Sequence, residues 1–332
     1  MAGGVSPMTK KPRRRHKKKT ELIFQRNILE VENYHDTVEK CAQKIRTKTI
    51  KPYAQVFARN VEDLIMLCGL PVVLLYTGVF ETRHTAFIPG AILKIKKNLG
   101  KGKPLTKSEH RRIHQEADRQ LRKYSESAAG KEAIKKEVEF KIEHILNMSD
   151  MRQAVINLLR AITVTSWTIF EALSKDIWIA ALNSNCDILA KRAMKILKES
   201  SPSGDITSKT ISTDLLAKHG FDVRNCMGTL LSGKFDFTGV TGIKKAYVYA
   251  FDNKKMFERI FDVKGLSHLE ASRHVIVHNA GIIDENYLRR TKRRLKVGKA
   301  LPLNSRIVSR HVKKAIDSGC QLLKAVDKCM PR

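Results

Sequence analysis

At 332 residues and 37.7 kDa the chain has room for about two domains. Its 42% hydrophobic and 29% charged residues exclude a disordered chain and can bury a sizeable core. The 63 Lys and Arg against 33 Asp and Glu leave +30, which favours a polyanionic partner, nucleic acid before an anionic membrane surface.

Residues 1–20 (MAGGVSPMTKKPRRRHKKKT) have eight Lys or Arg, no acid and no apolar period. This reads as a disordered basic arm, either screening phosphates, serving as a nuclear address or simply solubilising the chain. It has no apolar core of a secretory signal. The six Cys at 41, 68, 186, 226, 320 and 329 form no C-x-x-C pair. Reduced thiols in a cytoplasmic protein are therefore expected, in place of a zinc ribbon or disulfide scaffold.

From Ile28 to Ile45, apolar steps of 3 and 4 predict an amphipathic helix ending near Pro52. Leu64–Phe80 has no charge over 17 residues but contains Gly69 and Pro71. A membrane span takes about 20 residues, so a buried core segment is expected, with no integral membrane association. GKGKP at 100–104 lacks the spacing of a phosphate loop and reads as a turn. Thr106 and Glu109 form a capping-box pattern that opens a helix. On that helix His110 and His114 are flanked by Arg111 and Arg112, so a solvated basic face is expected and no metal site. Residues 125–130 mark a break between two helices. Residues 21–145 are thus a mainly helical region of open role.

From about 146 to 330 helical periodicity is nearly continuous. Ala154–Leu182 is apolar almost all round, as befits the centre of a bundle. Further helices are predicted at 186–199, 243–261, 268–280 and 306–328, with loops at 200–212 and 228–242. The fold class is all-α, a helical bundle with an additional mainly helical N-terminal region.

The helix at 268–280 carries the chemistry. Ser267–Glu270 reads as its capping box and Gly281 as its left-handed end. Leu269, Arg273, Ile276, Val277 and Ala280 share one arc, with His278 about 140° round from Arg273, beside Ala271, Val275 and His274. An arginine within an apolar stripe needs a partner or a purpose. Glu171, the only acid between Asp150 and Asp176, is the candidate partner. The bland alternative is that Arg273 ties two helices together through Glu171 while His278 fills a polar notch.

Residues 273–287, RHVIVHNAGIIDENY, resemble the signature of the HEPN superfamily: an Arg, then a polar residue, then a His after four to six intervening positions. Arg273, His274 and His278 match it. Asn279, Gly281, Tyr287, the VGKALPL turn and the Trp167…Glu171 pattern are similar to its RiboL-PSP-HEPN branch. The resemblance covers roughly 150–330.

It implies a metal-independent endoribonuclease that works as a homodimer without a cofactor, with Arg273, His278, His274 and Glu171 at the site. Cleavage through the RNA 2′-hydroxyl needs a base, an acid and a fixed positive charge, which His and Arg can supply at neutral pH. Residues 288–299 (LRRTKRRLKVGK) hold seven Lys or Arg and could track a phosphate backbone. Asn279, Tyr287, Arg289, Arg290, Lys292, Arg293, Arg294 and Lys296 are the candidate RNA contacts. The competing readings are an RNA- or nucleotide-binding module with an idle His, and a peripheral protein that uses its charge on anionic lipid.

Overall fold

The computed structural model describes residues 34–96, 105–199, 217–218 and 220–330. These hold twelve α-helices and no strand; an isolated bridge joins Ile282 to Ala300. The all-α expectation holds. The basic arm at 1–20, the GKGKP turn and the loop at 200–212 lie outside the described residues.

Of the described residues, 69–155 form one compact unit, and 34–68 with 156–330 form another. This division differs from a single cut near 145, because 34–68 belong with the C-terminal half.

Helix α1 (His35–Gln43) ends before Ile45. The Asp327 carboxylate accepts the backbone N–H groups of Arg46 (3.0 Å) and Thr47 (2.8 Å), which turns the chain there. Helix α2 (Lys51–Lys96) then runs for 46 residues, through Pro71 and Pro89. Each proline removes one i→i−4 bond, yet neither ends the helix.

The charge-free run at 64–80 lies inside α2 and is not a buried core segment. Met66, Leu70, Val73 and Leu74 are between 46% and 61% exposed. Composition made every side of this helix apolar, but neighbours cover only part of it. In the first unit, Val72, Leu75, Tyr76, Val79 and Phe80 pack on Ile134, Val138 and Ile142 of α4 (Ala128–Asn147).

Helix α3 (Lys107–Glu126) opens with the Thr106–Glu109 capping box, and Ser127 caps α4 by accepting the Gly130 N–H at 3.0 Å. The break expected at 125–130 therefore forms. Ala91, Ile113 and Ala117 make a second small core between α2 and α3. His110 and His114 are exposed, and His114 stacks on His84 with ring centroids 5.4 Å apart.

Helix α5 (Ser149–Ser184) supplies the centre of the second unit through Trp167, Phe170, Leu173, Ile177 and Trp178. Two buried polar side chains of this core bond across it. Trp178 Nε1 donates to the Ala246 carbonyl (3.0 Å), and the Tyr247 hydroxyl donates to the Ser174 carbonyl (2.6 Å). Trp167, Trp178 and Tyr247 are among the largest fully buried side chains of the described residues.

A π-helical turn at Cys186–Ala190 leads into α6 (Lys191–Glu199). Helix α7 (Met227–Ser232) falls inside the segment expected to be loop. The single helix expected over 243–261 is two, α8 (Val240–Ala250) and α9 (Lys254–Phe261), because the Asn253 side chain caps a new start at Met256 N. Helices α10 (Lys264–His278), α11 (Glu285–Thr291) and α12 (Ser305–Cys329) complete the bundle. A Cβ at Gly319 of α12 would collide with the Phe57 ring, so α2 and α12 approach closely only because 319 is glycine.

Candidate functional site

Helix α10 starts a turn earlier than the Ser267 capping pattern implied. Val263 is its N-cap and makes no side-chain cap bond. Glu270 instead pairs with Arg290 at 2.5 Å. The buried face also differs from the expected arc. Leu266, Leu269, Ala271, Ser272 and Val275 are buried, whereas Val277 is 49% exposed and Ala280 is exposed.

The helix ends as its sequence implied. Ala280 and Gly281 both have positive φ (50° and 81°), and the Gly281 N–H reaches back to the Val275 carbonyl at 2.9 Å. A Cβ on Gly281 would lie 2.7 Å from Arg160 Nη2, so glycine admits both the left-handed turn and an arginine from α5. Sequence reasoning did not single out Arg160. Its signal was a charge at the edge of the apolar run that ends at Glu171.

Arg273, His274 and His278 come together at this end. His278 is exposed, and Arg273 and His274 are half-buried. The two imidazoles are tilted against each other, with ring centroids 4.7 Å apart and an interplanar angle of 46°. Arg273 Nε is buried without a hydrogen-bond partner. The expected Arg273–Glu171 bond does not form; Arg273 acts on Glu171 through its field alone. Burial raises the Glu171 carboxyl above its ordinary pKa. The Trp167 indole N–H and Arg273 pull it down, and Asp236 pushes it up. Trp167 Nε1 has no partner at hydrogen-bonding geometry, so its influence is electrostatic.

The segment after α10 is locked by polar bonds. The Asn279 amide donates to Asp284 Oδ2 (2.7 Å), and Asp284 Oδ1 accepts the Tyr287 N–H (2.7 Å) to cap α11. Residues 281–283 pair with the turn at 298–301 through Ile283 N–Lys299 O (2.9 Å), Gly298 N–Ile283 O (2.9 Å) and Leu301 N–Gly281 O (2.8 Å). The VGKALPL turn thus braces the end of α10. Asn279 is part of this brace. Tyr287 is only 2% exposed, packed with Ala271, Val275, Ile283 and Leu301, so its ring cannot meet a base.

The basic stretch divides. Arg289, Lys292, Arg294 and Lys296 are exposed. Arg290 is held by Glu270, and Arg293 is half-buried beside His268 and His311. His311 is 4% exposed, and its Nδ1 has no partner. Burial, then Arg293, His268 and Arg310, depress its pKa to about 3. The His268 ring lies 3.1 Å from the Thr291 carbonyl, and burial followed by Arg293 lowers its pKa as well.

No family model, curated protein or solved structure matches this chain.

Proposed function

We propose that the second unit is a metal-independent endoribonuclease that cleaves RNA through its own 2′-hydroxyl. The observation that carries this reading is the juxtaposition of His274 and His278, rings 4.7 Å apart, one turn from Arg273 at the accessible end of α10. One imidazole takes the 2′-hydroxyl proton and a second protonates the leaving 5′-oxygen. The Arg273 guanidinium carries a permanent positive charge for the crowded phosphate. The products are a 2′,3′-cyclic phosphate and a 5′-hydroxyl.

A homodimer completes the site in this reading. Val277 (49% exposed) and Ile282 (42% exposed), within four residues of His278, are the exposed apolar side chains that a second copy would cover. The exposed Arg289, Lys292, Arg294 and Lys296 lead the strand in.

The test is RNA cleavage by His278→Ala, expected to fall by about 10²–10⁴, with the helical circular dichroism unchanged. Val277→Glu should shift the protein from dimer to monomer in sedimentation and lower cleavage with it. An unchanged rate in His278→Ala would remove His278 from the reaction, and RNA bound but left uncut by the wild type would leave an RNA-binding module as the reading.

A further inference from the structure

A second basic feature lies away from α10. A cleft of about 680 Å³ opens between the α1–α2 connector, the end of α5 and the last turns of α12. Its walls hold Lys44, Arg46, Lys48, Lys324 and Lys328 against a single carboxylate, Asp327. Five cations and one anion leave a formal +4. All five basic side chains belong to exposed residues, and none has an ion-pair partner among the described residues. Asp327 is already engaged by the backbone N–H groups of Arg46 and Thr47, so it is held against the connector. Lys44 and Lys324 converge from two separate elements, since both act on the buried Cys41 thiol between α1 and α12.

Such a concentration of like charge is costly without a counter-charge, and it is concave. Thr47 and Thr49 add hydroxyls to its lining, beside Ser184, whose own hydroxyl donates to the Ala181 carbonyl. No aromatic side chain lines it, so it has no platform on which bases could stack. The dense charge suits several phosphates in one place better than the spaced phosphates of a strand.

We propose that this cleft binds a condensed phosphate, pyrophosphate or triphosphate, either free or as the end of a larger molecule. The proposal is independent of the reading of α10. Lys48 from the connector and Lys324 from α12 grip the anion, and the cleft is shaped by Asp327 holding the connector.

The test is calorimetric titration of the full chain with three probes: inorganic triphosphate, orthophosphate, and a single-stranded oligodeoxynucleotide without a terminal phosphate. Triphosphate should bind at least about tenfold more tightly than orthophosphate and more tightly per site than the oligonucleotide. The pair Lys48→Gln with Lys324→Gln should weaken triphosphate by about tenfold or more, the scale of one lost charge-assisted hydrogen bond. Arg111→Gln with Arg112→Gln, which removes the same charge from α3, should weaken it less than about threefold. Equal losses in the two pairs would reduce the effect to net charge and overturn the proposal. Tighter binding of the oligonucleotide, abolished by the Lys48 and Lys324 changes, would make the cleft a strand channel and also overturn it. Cleavage of RNA by His278 enters none of these outcomes.

Discussion

Acid should weaken the second unit through one buried histidine. His311 stays neutral in the fold, with a pKa of about 3 against an ordinary 6.5. Between those values the unfolded chain binds a proton that the native chain does not. Stability is therefore full above about pH 6.5 and falls as pH drops toward 3. From pH 8 to pH 5 the two pKa values give a loss of about 2 kcal/mol from this side chain alone. His268, lowered in the same direction, adds to it. Urea melts of wild type and His311→Leu at pH 8, 7, 6 and 5 isolate the contribution, because the carboxylates titrate alike in both. The variant removes a ring nitrogen with no partner, so its cost at pH 8 is mainly one of packing. Its loss between pH 8 and pH 5 should be smaller by about 2 kcal/mol. Arg293→Gln should shrink the loss partway by removing a cation that disfavours protonation of the ring. Parallel pH profiles in wild type and His311→Leu would refute the reasoning.

Three further expectations follow from packing and charge. Glu171→Gln should leave stability at pH 7.5 unchanged or raise it in thermal melts, since burial already disfavours the ionised carboxyl and no direct bond to Arg273 is lost; a lower Tm would restore the ion-pair reading. Gly319→Ala should cost about 1–3 kcal/mol in urea melts by forcing Phe57 away, and a 146–332 fragment, which lacks Phe57 and α1, should melt without cooperativity. Arg294→Gln with Lys296→Gln should flatten the salt dependence of RNA binding by a slope of about 1–2, whereas Arg290→Gln should mainly destabilise the α10–α11 contact, because that guanidinium is already held by Glu270.

Local chemistry was legible where nothing competed with it. The Thr106–Glu109 box and the break at 125–130 formed as read, because both depend on side chains within one turn. The same pattern at Ser267–Glu270 did not, since a start at Lys264 and a distant Arg290 claimed those residues. The apolar run at 64–80 gave a helix but not its covered side, which is a property of its neighbours. Arg273, His274 and His278 lie within six residues, so their juxtaposition on one helix end could be read from spacing. Arg160 against Gly281, and Arg293 beside His311, join residues far apart in the chain, and no periodicity announces them. Tyr287 was misjudged for a similar reason: it precedes the basic run that starts at Arg289, but its ring turns inward against Ala271 and Leu301.

The most direct measurement uses a short RNA with a single 2′-deoxy substitution at the scissile position, alongside its all-ribose parent, both incubated with the purified full chain in EDTA. The account predicts that the parent is cut to a 2′,3′-cyclic phosphate and a 5′-hydroxyl, that the substituted strand survives at that position, and that His278→Ala loses the cut in the parent. Undiminished cleavage at the deoxy position, or cleavage abolished by EDTA, would contradict it.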